Sequence, residues 1–265
     1  MQETIGVSAM KGVEADLVCN RFSDEGWVRT SVHVPSEIEL TIYINHLELV
    51  TIQCTPTKLN CLVLGFLYGE GIISDISDVV MLNICEEELQ ADVRLSNSKY
   101  KLPTQRILTS GCGGGSAFNT DGQRIESDLV VTPMEVLSLM KKFQEQIDLD
   151  RLSGGIHNSA LSDTKNLLVV TVDIGRHNTL DKIHGECLAR GLSTRDRLLL
   201  TTGRISSEML LKAAKMQAPV VVSRHSPTGR AVSFARDLGI TLIGYARGGR
   251  LLVYSHPERL GCLAD

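Results

Sequence analysis

A chain of 265 residues with 43 % hydrophobic and 22 % charged residues is long enough for two modest domains, each with its own core. Its formal net charge of -4 excludes a generally basic surface, so we expect no nucleic acid partner. No apolar run approaches the roughly 18 residues that span a bilayer, and the N-terminus lacks the apolar core of a secretory signal; we expect a cytoplasmic protein that binds no membrane.

Alternation of apolar and polar residues predicts β-structure in the N-terminal half. Leu40, Ile42 and Ile44 would share one face of a strand, and the chain would turn near Asn45-His46 into a second strand. Thr55-Pro56 has the pattern of an N-cap followed by a first-turn proline, which predicts a helix that ends at the glycines 69 and 71. Further short strands are predicted at residues 79–81, 92–95 and 106–109.

The C-terminal half has the pattern of an α/β structure. Thr132-Pro133-Met134-Glu135 combines a capping box with a proline at the first helical position, and it predicts a helix to about Gln146. Beyond it, strands and helices alternate in a way that predicts a mainly parallel sheet, covered on both faces and closed by an antiparallel hairpin. The strands are predicted at residues 167–172, 198–200, 219–222, 240–243 and 251–254, and the helices at 180–192, 206–216 and 228–238.

These patterns predict a protein of the α/β class with two domains, and the chain as a whole would be α+β. Residues 1–130 would form a smaller β-rich domain with one helix and a glycine-rich segment at its end. Residues 131–265 would form a larger three-layer α/β domain.

Seven cysteines are scattered along the chain without a Cys-x-x-Cys pair. An odd number in a reducing compartment argues against a disulfide framework. Cys61 and Cys187 lie in amphipathic patterns, where a free cysteine behaves as a small buried hydrophobic residue. Cys112 differs because it stands among four glycines in residues 109–116.

The glycines around Cys112 favour a chemical role for its thiol. Glycine permits positive φ and lets backbone N–H groups approach a sulfur, which favours thiolate over thiol. A mobile loop with a nucleophilic thiolate is what a carrier of sulfane sulfur needs. The alternative is a plain flexible turn that happens to contain a cysteine.

A second candidate segment follows the predicted strand at residues 167–172. Asp173, Arg176, His177 and Asn178 stand at the end of that strand and at the start of a helix, together with Asp181 and Lys182. Ligands bind at such strand ends, and a helix N-terminus offers free N–H groups to anions. Arginine can bind a phosphate or carboxylate through two hydrogen bonds, and aspartate can orient a histidine or a guanine edge. The alternative is a solvated helix start capped by Asn178.

Two further loops have a similar composition. Gly203 and Arg204 precede a helix that Ser206 or Ser207 could cap, which would make a second anion site. His157 follows two glycines, although a single histidine in a loop is more often structural.

The last candidate segment connects two predicted strands near the C-terminus. It contains Tyr245, Ala246, Arg247, Gly248, Gly249 and Arg250. A guanine or pterin ring could stack on Tyr245, with phosphates bound by the two arginines. A hairpin turn with exposed arginines explains the same residues. The sequence contains no motif for a metal site, so no structural metal is expected.

These segments, in this order, resemble the FdhD family of formate dehydrogenase accessory sulfurtransferases from about Glu39 to the C-terminus. The most specific motif is Asp-x-Gly-Arg-His-Asn-x-x-Asp-Lys at residues 173–182. The other matching strings are Gly65-Phe66-Leu67-Tyr68-Gly69-Glu70-Gly71, Ser110-Gly111-Cys112-Gly113, Gly154-Gly155-Ile156-His157, Gly203-Arg204-Ile205-Ser206-Ser207-Glu208-Met209, Ser226-Pro227-Thr228 and residues 241–247.

The resemblance implies a homodimer whose larger domain is similar to the cytidine deaminase fold without its zinc. It also implies that sulfur taken from a cysteine desulfurase passes to molybdenum bis(molybdopterin guanine dinucleotide), a bound client that is delivered to formate dehydrogenase. Cys112 would carry the sulfur as a persulfide. The residues expected to bind the client are Asp173, Arg176, His177, Asn178, Gly203, Arg204, Tyr245, Ala246, Arg247, Gly248, Gly249 and Arg250.

One position departs from the family pattern. The cysteine loop of the family usually reads Cys-x-x-Cys, and the second position here is Gly115. We expect a sulfurtransferase that works with one loop cysteine. The alternative is a non-catalytic chaperone that binds the cofactor and has lost sulfur transfer. A nucleoside-modifying hydrolase of deaminase-like fold is a third hypothesis, disfavoured because the zinc-ligand motif of that class is absent.

Overall fold

The computed structural model describes residues 13–97, 107–108, 116–117, 124–149 and 155–262. They form a mixed α/β structure built around two sheets, which confirms the predicted fold class. The predicted boundary between domains near residue 130, and the likeness of the larger domain to cytidine deaminase, stay predictions.

The first sheet contains four strands in the order β4-β3-β6-β5, formed by β3 (Ile38–Ile44), β4 (Leu47–Cys54), β5 (Val79–Cys85) and β6 (Gln90–Leu95). The predicted hairpin is confirmed, because β3 turns into β4 at Asn45 and His46, which both have positive φ. Leu40, Ile42 and Ile44 are at most 1 % exposed, as their alternation predicts. A separate ribbon precedes this sheet and pairs β1 (Val13–Ser23) with β2 (Gly26–Pro35).

Helix α1 (Leu59–Gly69) packs on the first sheet, and it begins later than predicted. Its N-cap is Lys58, which has a φ of 49°, so Thr55-Pro56 does not start the helix. Contacts with the second half of the chain explain why the helix does not start there. The Thr55 N–H donates to Asp173 Oδ2 at 3.1 Å, and Thr55 Oγ1 accepts from the Ile174 N–H at 3.1 Å. Thr55 therefore connects the N-terminal half to the second sheet.

The second sheet contains six strands in the order β10-β9-β11-β12-β13-β14. After the short pair β7 (Ile107–Leu108) and β8 (Ser116–Ala117), the elements are α2 (Pro133–Leu149), β9 (His157–Ser162), β10 (Leu167–Asp173), α3 (Arg176–Arg190), β11 (Leu198–Thr201), α4 (Ser207–Lys215), β12 (Val220–Ser223), α5 (Gly229–Leu238), β13 (Thr241–Arg247) and β14 (Arg250–Ser255). Short 3-10 helices lie at Ile76–Asp78 and Pro257–Leu260.

The prediction of a mainly parallel sheet is wrong. Only two of the five neighbouring pairs, β11–β12 and β12–β13, are parallel, and the other three pairs are antiparallel. Strand β9 causes the difference, because it lies antiparallel between β10 and β11. Its sequence, His-Asn-Ser-Ala-Leu-Ser, has no apolar run and was not predicted as a strand. The final antiparallel hairpin, β13 with β14, is confirmed.

Helices cover both faces of the second sheet, as predicted. Residues on one face, such as Leu161, Leu199 and Val221, pack with α3, α4 and α5. Their neighbours along the strands, such as Leu198 and Val222, pack with α2 on the opposite face, since successive strand residues point to opposite sides.

The predicted starts of three helices are confirmed. Glu135 Oε2 accepts from the Thr132 N–H at 2.8 Å in the capping box of α2. Ser206 and Thr228 cap α4 and α5.

Two glycines bring α1 and α3 into close backbone contact. A Cβ on Gly65 would lie 1.8 Å from the carbonyl oxygen of Asp181, and one on Gly185 would lie 1.9 Å from the carbonyl oxygen of Cys61. The two helices therefore join the halves of the molecule without space for a side chain at either position. No helix within the described residues is both long enough and apolar enough to cross a membrane.

Candidate functional site

The candidate ligand residues from three segments lie at one edge of the second sheet. Strands β10 and β11 are both antiparallel to β9, and β12 and β13 are parallel to β11, so these four strands end at the same edge. The loops that follow them contain residues 173–178, 201–204, 223–225 and 245–250. The strand pairing thus brings together residues that are up to 77 positions apart in sequence.

Asp173 is fully buried, and its carboxylate is occupied by protein groups. Oδ2 lies 2.6 Å from Lys182 Nζ, and neither side chain is exposed. Oδ1 accepts hydrogen bonds from the Gly175 N–H at 2.8 Å and from Asn178 Nδ2 at 2.9 Å. The sequence led us to expect that Asp173 contacts a ligand directly, but in this structure protein groups occupy both of its carboxylate oxygens. The carboxylate instead fixes the start of α3 and, through Thr55, the N-terminal half.

Lys182 and Asn178 also connect the two halves of the molecule. Lys182 Nζ donates to the carbonyl oxygens of Thr55 and Val172 and to Thr57 Oγ1, at 3.0 to 3.1 Å. Asn178 Nδ2 donates to the carbonyl oxygen of Gln53 at 2.8 Å. The most specific part of the sequence motif is therefore largely a scaffold for the site.

His177 connects the starts of α3 and α4. Its Nε2 lies 3.2 Å from Ser206 Oγ and 3.3 Å from Glu208 Oε2. Burial, followed by the nearby Lys212 charge, lowers the pKa of His177 to about 3. The ring is therefore neutral, and its contact with Ser206 positions the loop that contains Gly203.

Arg176, His157 and Gly203 pack against one another at the sheet edge. A Cβ on Gly203 would lie 3.2 Å from Arg176 Cβ and 3.3 Å from His157 Nδ1, so glycine leaves room for both side chains. Burial, followed by the Arg176 charge, lowers the pKa of His157. Arg204, in contrast, is exposed to solvent.

The β13–β14 hairpin presents the third candidate segment. Gly248 and Gly249 form its two-residue turn with φ values of 59° and 77°, the combination that a type I′ turn requires. Tyr245 also has a left-handed φ of 52°, which is costly for an aromatic residue, and its side chain is 38 % exposed. Ala246 is buried against α2, so only its backbone is available to a ligand. Arg247 and Arg250 are exposed.

A cavity of about 580 Å³ lies between α2 and this hairpin turn. Its lining includes Arg247 and the two turn glycines, which the sequence suggested. It also includes Lys141 from α2 and Arg224 from the loop after β12, which the sequence analysis missed. Apolar groups complete the lining, among them Met134, Leu137 and Met140. Such a cavity suits a ligand with a flat ring and anionic groups.

Cys112 lies outside the described residues, as do Gly113, Gly114 and Gly115. Three of the other cysteines have unreactive environments. Burial raises the pKa of Cys54 and of Cys187 to about 12, and it also raises the pKa of Cys61. Cys19 and Cys262 are exposed. Among the described residues, no group of three or more His, Cys, Asp or Glu side chains is placed to hold a metal ion.

Comparisons with known proteins agree on one family. The model of the FdhD/NarQ family matches residues 35–261. "Sulfur carrier protein FdhD" from Bacillus subtilis is 40 % identical over 236 residues, which cover 85 % of this chain and 89 % of that protein. The protein of the same name from Staphylococcus aureus strain Newman is 37 % identical over 248 residues, covering 91 % and 94 % of the two chains.

A solved structure has the same fold. It is that of a candidate formate dehydrogenase accessory protein from Desulfotalea psychrophila, with a TM-score of 0.78 and 24 % sequence identity over 94 % of this chain and 99 % of that one. The family match, the two relatives and the shared fold all concern most of the chain. This chain therefore belongs to the FdhD/NarQ family.

Proposed function

We propose that this protein is a sulfurtransferase that takes persulfide sulfur from a cysteine desulfurase and passes it to molybdenum bis(molybdopterin guanine dinucleotide), as an accessory protein of formate dehydrogenase. The observation that carries the proposal is that curated relatives matching most of the chain are named sulfur carrier proteins. The proposed protein works in the cytoplasm as a homodimer.

Cys112 is the proposed carrier. Its thiolate attacks the outer sulfur of the desulfurase persulfide; a new S–S bond forms as the old one breaks, and the desulfurase cysteine leaves as a thiolate. Cys112 is then a persulfide. The burial and raised pKa of Cys54, Cys61 and Cys187 support this choice, because a buried neutral thiol cannot perform the attack. The same burial argues against Cys54 or Cys61 as a substitute for the missing second loop cysteine.

The edge of the second sheet is the proposed site for the client. Arg176 packs against Gly203 at the end of β11, which is two steps from β13, or about 10 Å at the usual spacing between strands. A ligand that contacts both Arg176 and Arg247 would lie along this edge. The 580 Å³ cavity with Lys141, Arg224 and Arg247 has the size and charge to accept one end of it.

Mass spectrometry tests the sulfur-carrying step. After incubation with a cysteine desulfurase and L-cysteine, we expect one added sulfur, about 32 Da, on the peptide that contains Cys112. The Cys112→Ala variant should gain no sulfur, and the matched Cys19→Ala variant should gain it as wild type does. Sulfur that is absent from wild type, or that remains in Cys112→Ala, would refute the proposal.

A chaperone without sulfur transfer is the second candidate. It is favoured by Gly115, which stands where the family usually has its second loop cysteine. In that case the client would bind at the same sheet edge, and Cys112 would be dispensable. Formate dehydrogenase activation that survives Cys112→Ala would support this candidate over the first.

A further inference from the structure

A ribbon of two strands stands apart from both sheets. Strands β1 and β2 pair with each other, and within the described residues neither of them pairs with another strand. Large apolar side chains along the ribbon are 37 % to 73 % exposed, namely Leu17, Val18, Phe22, Trp27, Val28 and Val32. An isolated hairpin is only marginally stable in water, and large exposed apolar patches mark sites of interaction. The ribbon therefore has the properties of a contact surface for another protein chain.

An aromatic pair is the most exposed of these apolar groups. Phe22 and Trp27 are opposite each other on the two strands, next to the turn, and their ring centroids lie 5.1 Å apart. Their exposed fractions are 66 % and 73 %. Two adjacent rings bury a large area when they are covered, and tryptophan is among the residues that most often dominate the energy of an interface. The aromatic pair is therefore the expected centre of the contact.

The charged residues around the aromatic pair favour a second copy of this chain as the partner. Along β2 and its turn, Glu25 precedes Trp27 by two positions and Arg29 follows it by two, on the same face of the strand. Asp24 is the other residue of the turn, and all three charged side chains are exposed. A twofold axis through the aromatic pair, perpendicular to this face, reverses one ribbon relative to the other. It places Arg29 of each copy beside the turn carboxylates of the other copy.

We propose that the face of the ribbon centred on Phe22 and Trp27 binds the same face of a second copy of this chain. The rings of the two copies pack together at the centre, and Arg29 forms ion pairs with Asp24 and Glu25 of the other copy at both ends. This inference rests on the homodimer of the proposed function and specifies its contact surface. A two-stranded ribbon of ten residues covers only about 33 Å by 10 Å, which is less than a standard interface, so the dimer should dissociate on dilution.

Sedimentation velocity over a dilution series of the full chain measures the dimer. We expect Phe22→Ser to weaken dimerisation by about thirtyfold or more, as the loss of a central aromatic side chain implies. Val80→Ser is the matched control, because Val80 is 71 % exposed on β5, outside the ribbon, and this variant should dissociate as wild type does. A wild type that is monomeric throughout the series, or a dimer that Phe22→Ser leaves unchanged, would overturn the inference.

Trp27 reports on the contact directly, because it is the only tryptophan in the chain. Acrylamide should quench its fluorescence less in the dimer than in diluted, monomeric protein. Equal quenching at all concentrations, in a protein that sedimentation shows to be dimeric, would place the dimer contact elsewhere and contradict the inference.

An exchange of charges tests the orientation of the two ribbons. Arg29→Glu should weaken the dimer by about tenfold, because it brings a third carboxylate beside the turn acids of the other copy. Addition of Asp24→Lys and Glu25→Lys to that variant should restore the affinity, and no recovery would show that the ribbons do not meet in this way. Sulfur loading of Cys112 is read from a peptide mass whatever the oligomeric state, so failure here leaves sulfur transfer standing.

Discussion

Lys182 Nζ lies 2.6 Å from Asp173 Oδ2, and solvent reaches neither side chain. Removal of one member leaves the other charge buried, so we expect Lys182→Met to lower the free energy of unfolding by about 3–5 kcal/mol. The pair also holds the segment at Thr55 through hydrogen bonds, so the two halves of the molecule should lose stability together. Urea denaturation measures the change.

The control for this prediction is a partly exposed pair with the same separation. Lys58 Nζ lies 2.6 Å from Glu186 Oε2, but the Lys58 side chain is 42 % exposed. Lys58→Met should cost less than about 1 kcal/mol, because Glu186 keeps its ion pair with Arg190 at 2.9 Å and is not sealed from water. If the two lysine variants lose similar amounts of free energy of unfolding, burial does not make the Asp173–Lys182 pair more important for stability, and the prediction is wrong.

The contact between α1 and α3 has no room for a methyl group at Gly65. Gly65→Ala would place its Cβ 1.8 Å from the Asp181 carbonyl oxygen, so the helices must separate. We expect a loss of about 3 kcal/mol or more in the free energy of unfolding, because both sides of the clash are backbone. Gly69→Ala is the control in the same helix, since its Cβ would meet nothing closer than 3.4 Å. The idea fails if both variants melt at the same temperature.

We expect the buried His184 to make the folded protein less stable in mild acid. Burial, followed by the Lys212 charge, lowers its pKa from 6.5 to about 3. Below pH 6.5 the unfolded chain binds a proton that the folded protein does not, so the free energy of unfolding falls as the pH falls toward 3. From about pH 7 to about pH 5.5 this residue alone should remove about 1 kcal/mol.

The variant that tests this effect is His184→Phe. It keeps a ring beside Tyr68, with which His184 makes an edge contact at 4.2 Å between centroids, and it cannot titrate. Denaturation at the two pH values should show a smaller acid-induced loss for the variant than for wild type. An identical loss in both proteins would exclude His184 as the source.

Thiol labelling should separate the cysteines by burial. With iodoacetamide at about pH 7.5, Cys54, Cys61 and Cys187 should stay unlabelled in the folded protein, because burial keeps them as thiols. Cys19 and Cys262 are exposed and should react. Peptide mapping before and after addition of urea provides the comparison. Labelling of Cys54 at the rate of Cys19 in folded protein would contradict the structure.

Local patterns were sufficient for elements whose stabilisation is local. The β3–β4 hairpin follows from the alternation that buries Leu40 and Ile42, and the start of α4 follows from the capping side chain of Ser206. Candidate ligand residues after strand ends could also be proposed from the sequence, because Arg176 and Arg247 stand beside glycines and other polar residues.

Features that depend on contacts between residues far apart in the sequence could not be predicted from local patterns. Strand β9 has a polar sequence, and pairing with β10 and β11 makes it a strand. Thr55 resembles a helix cap, but a hydrogen bond to Asp173, 118 residues away, decides its role. Arg224 and Lys141 line the cavity because of the crossing of α2 over the sheet, and neither has a neighbouring motif. Tertiary structure thus determined the residues that the sequence analysis missed.

The passage of sulfur through Cys112 is tested most directly by formate dehydrogenase activity in a strain that lacks its own family member and is supplied with this chain. Cys112→Ala should leave activity at the level of the empty strain, and Cys19→Ala, matched in chemistry, should restore it fully. Equal protein levels of both variants make the comparison valid. Full activity with Cys112→Ala would contradict the account and leave a protein that binds the cofactor without carrying sulfur.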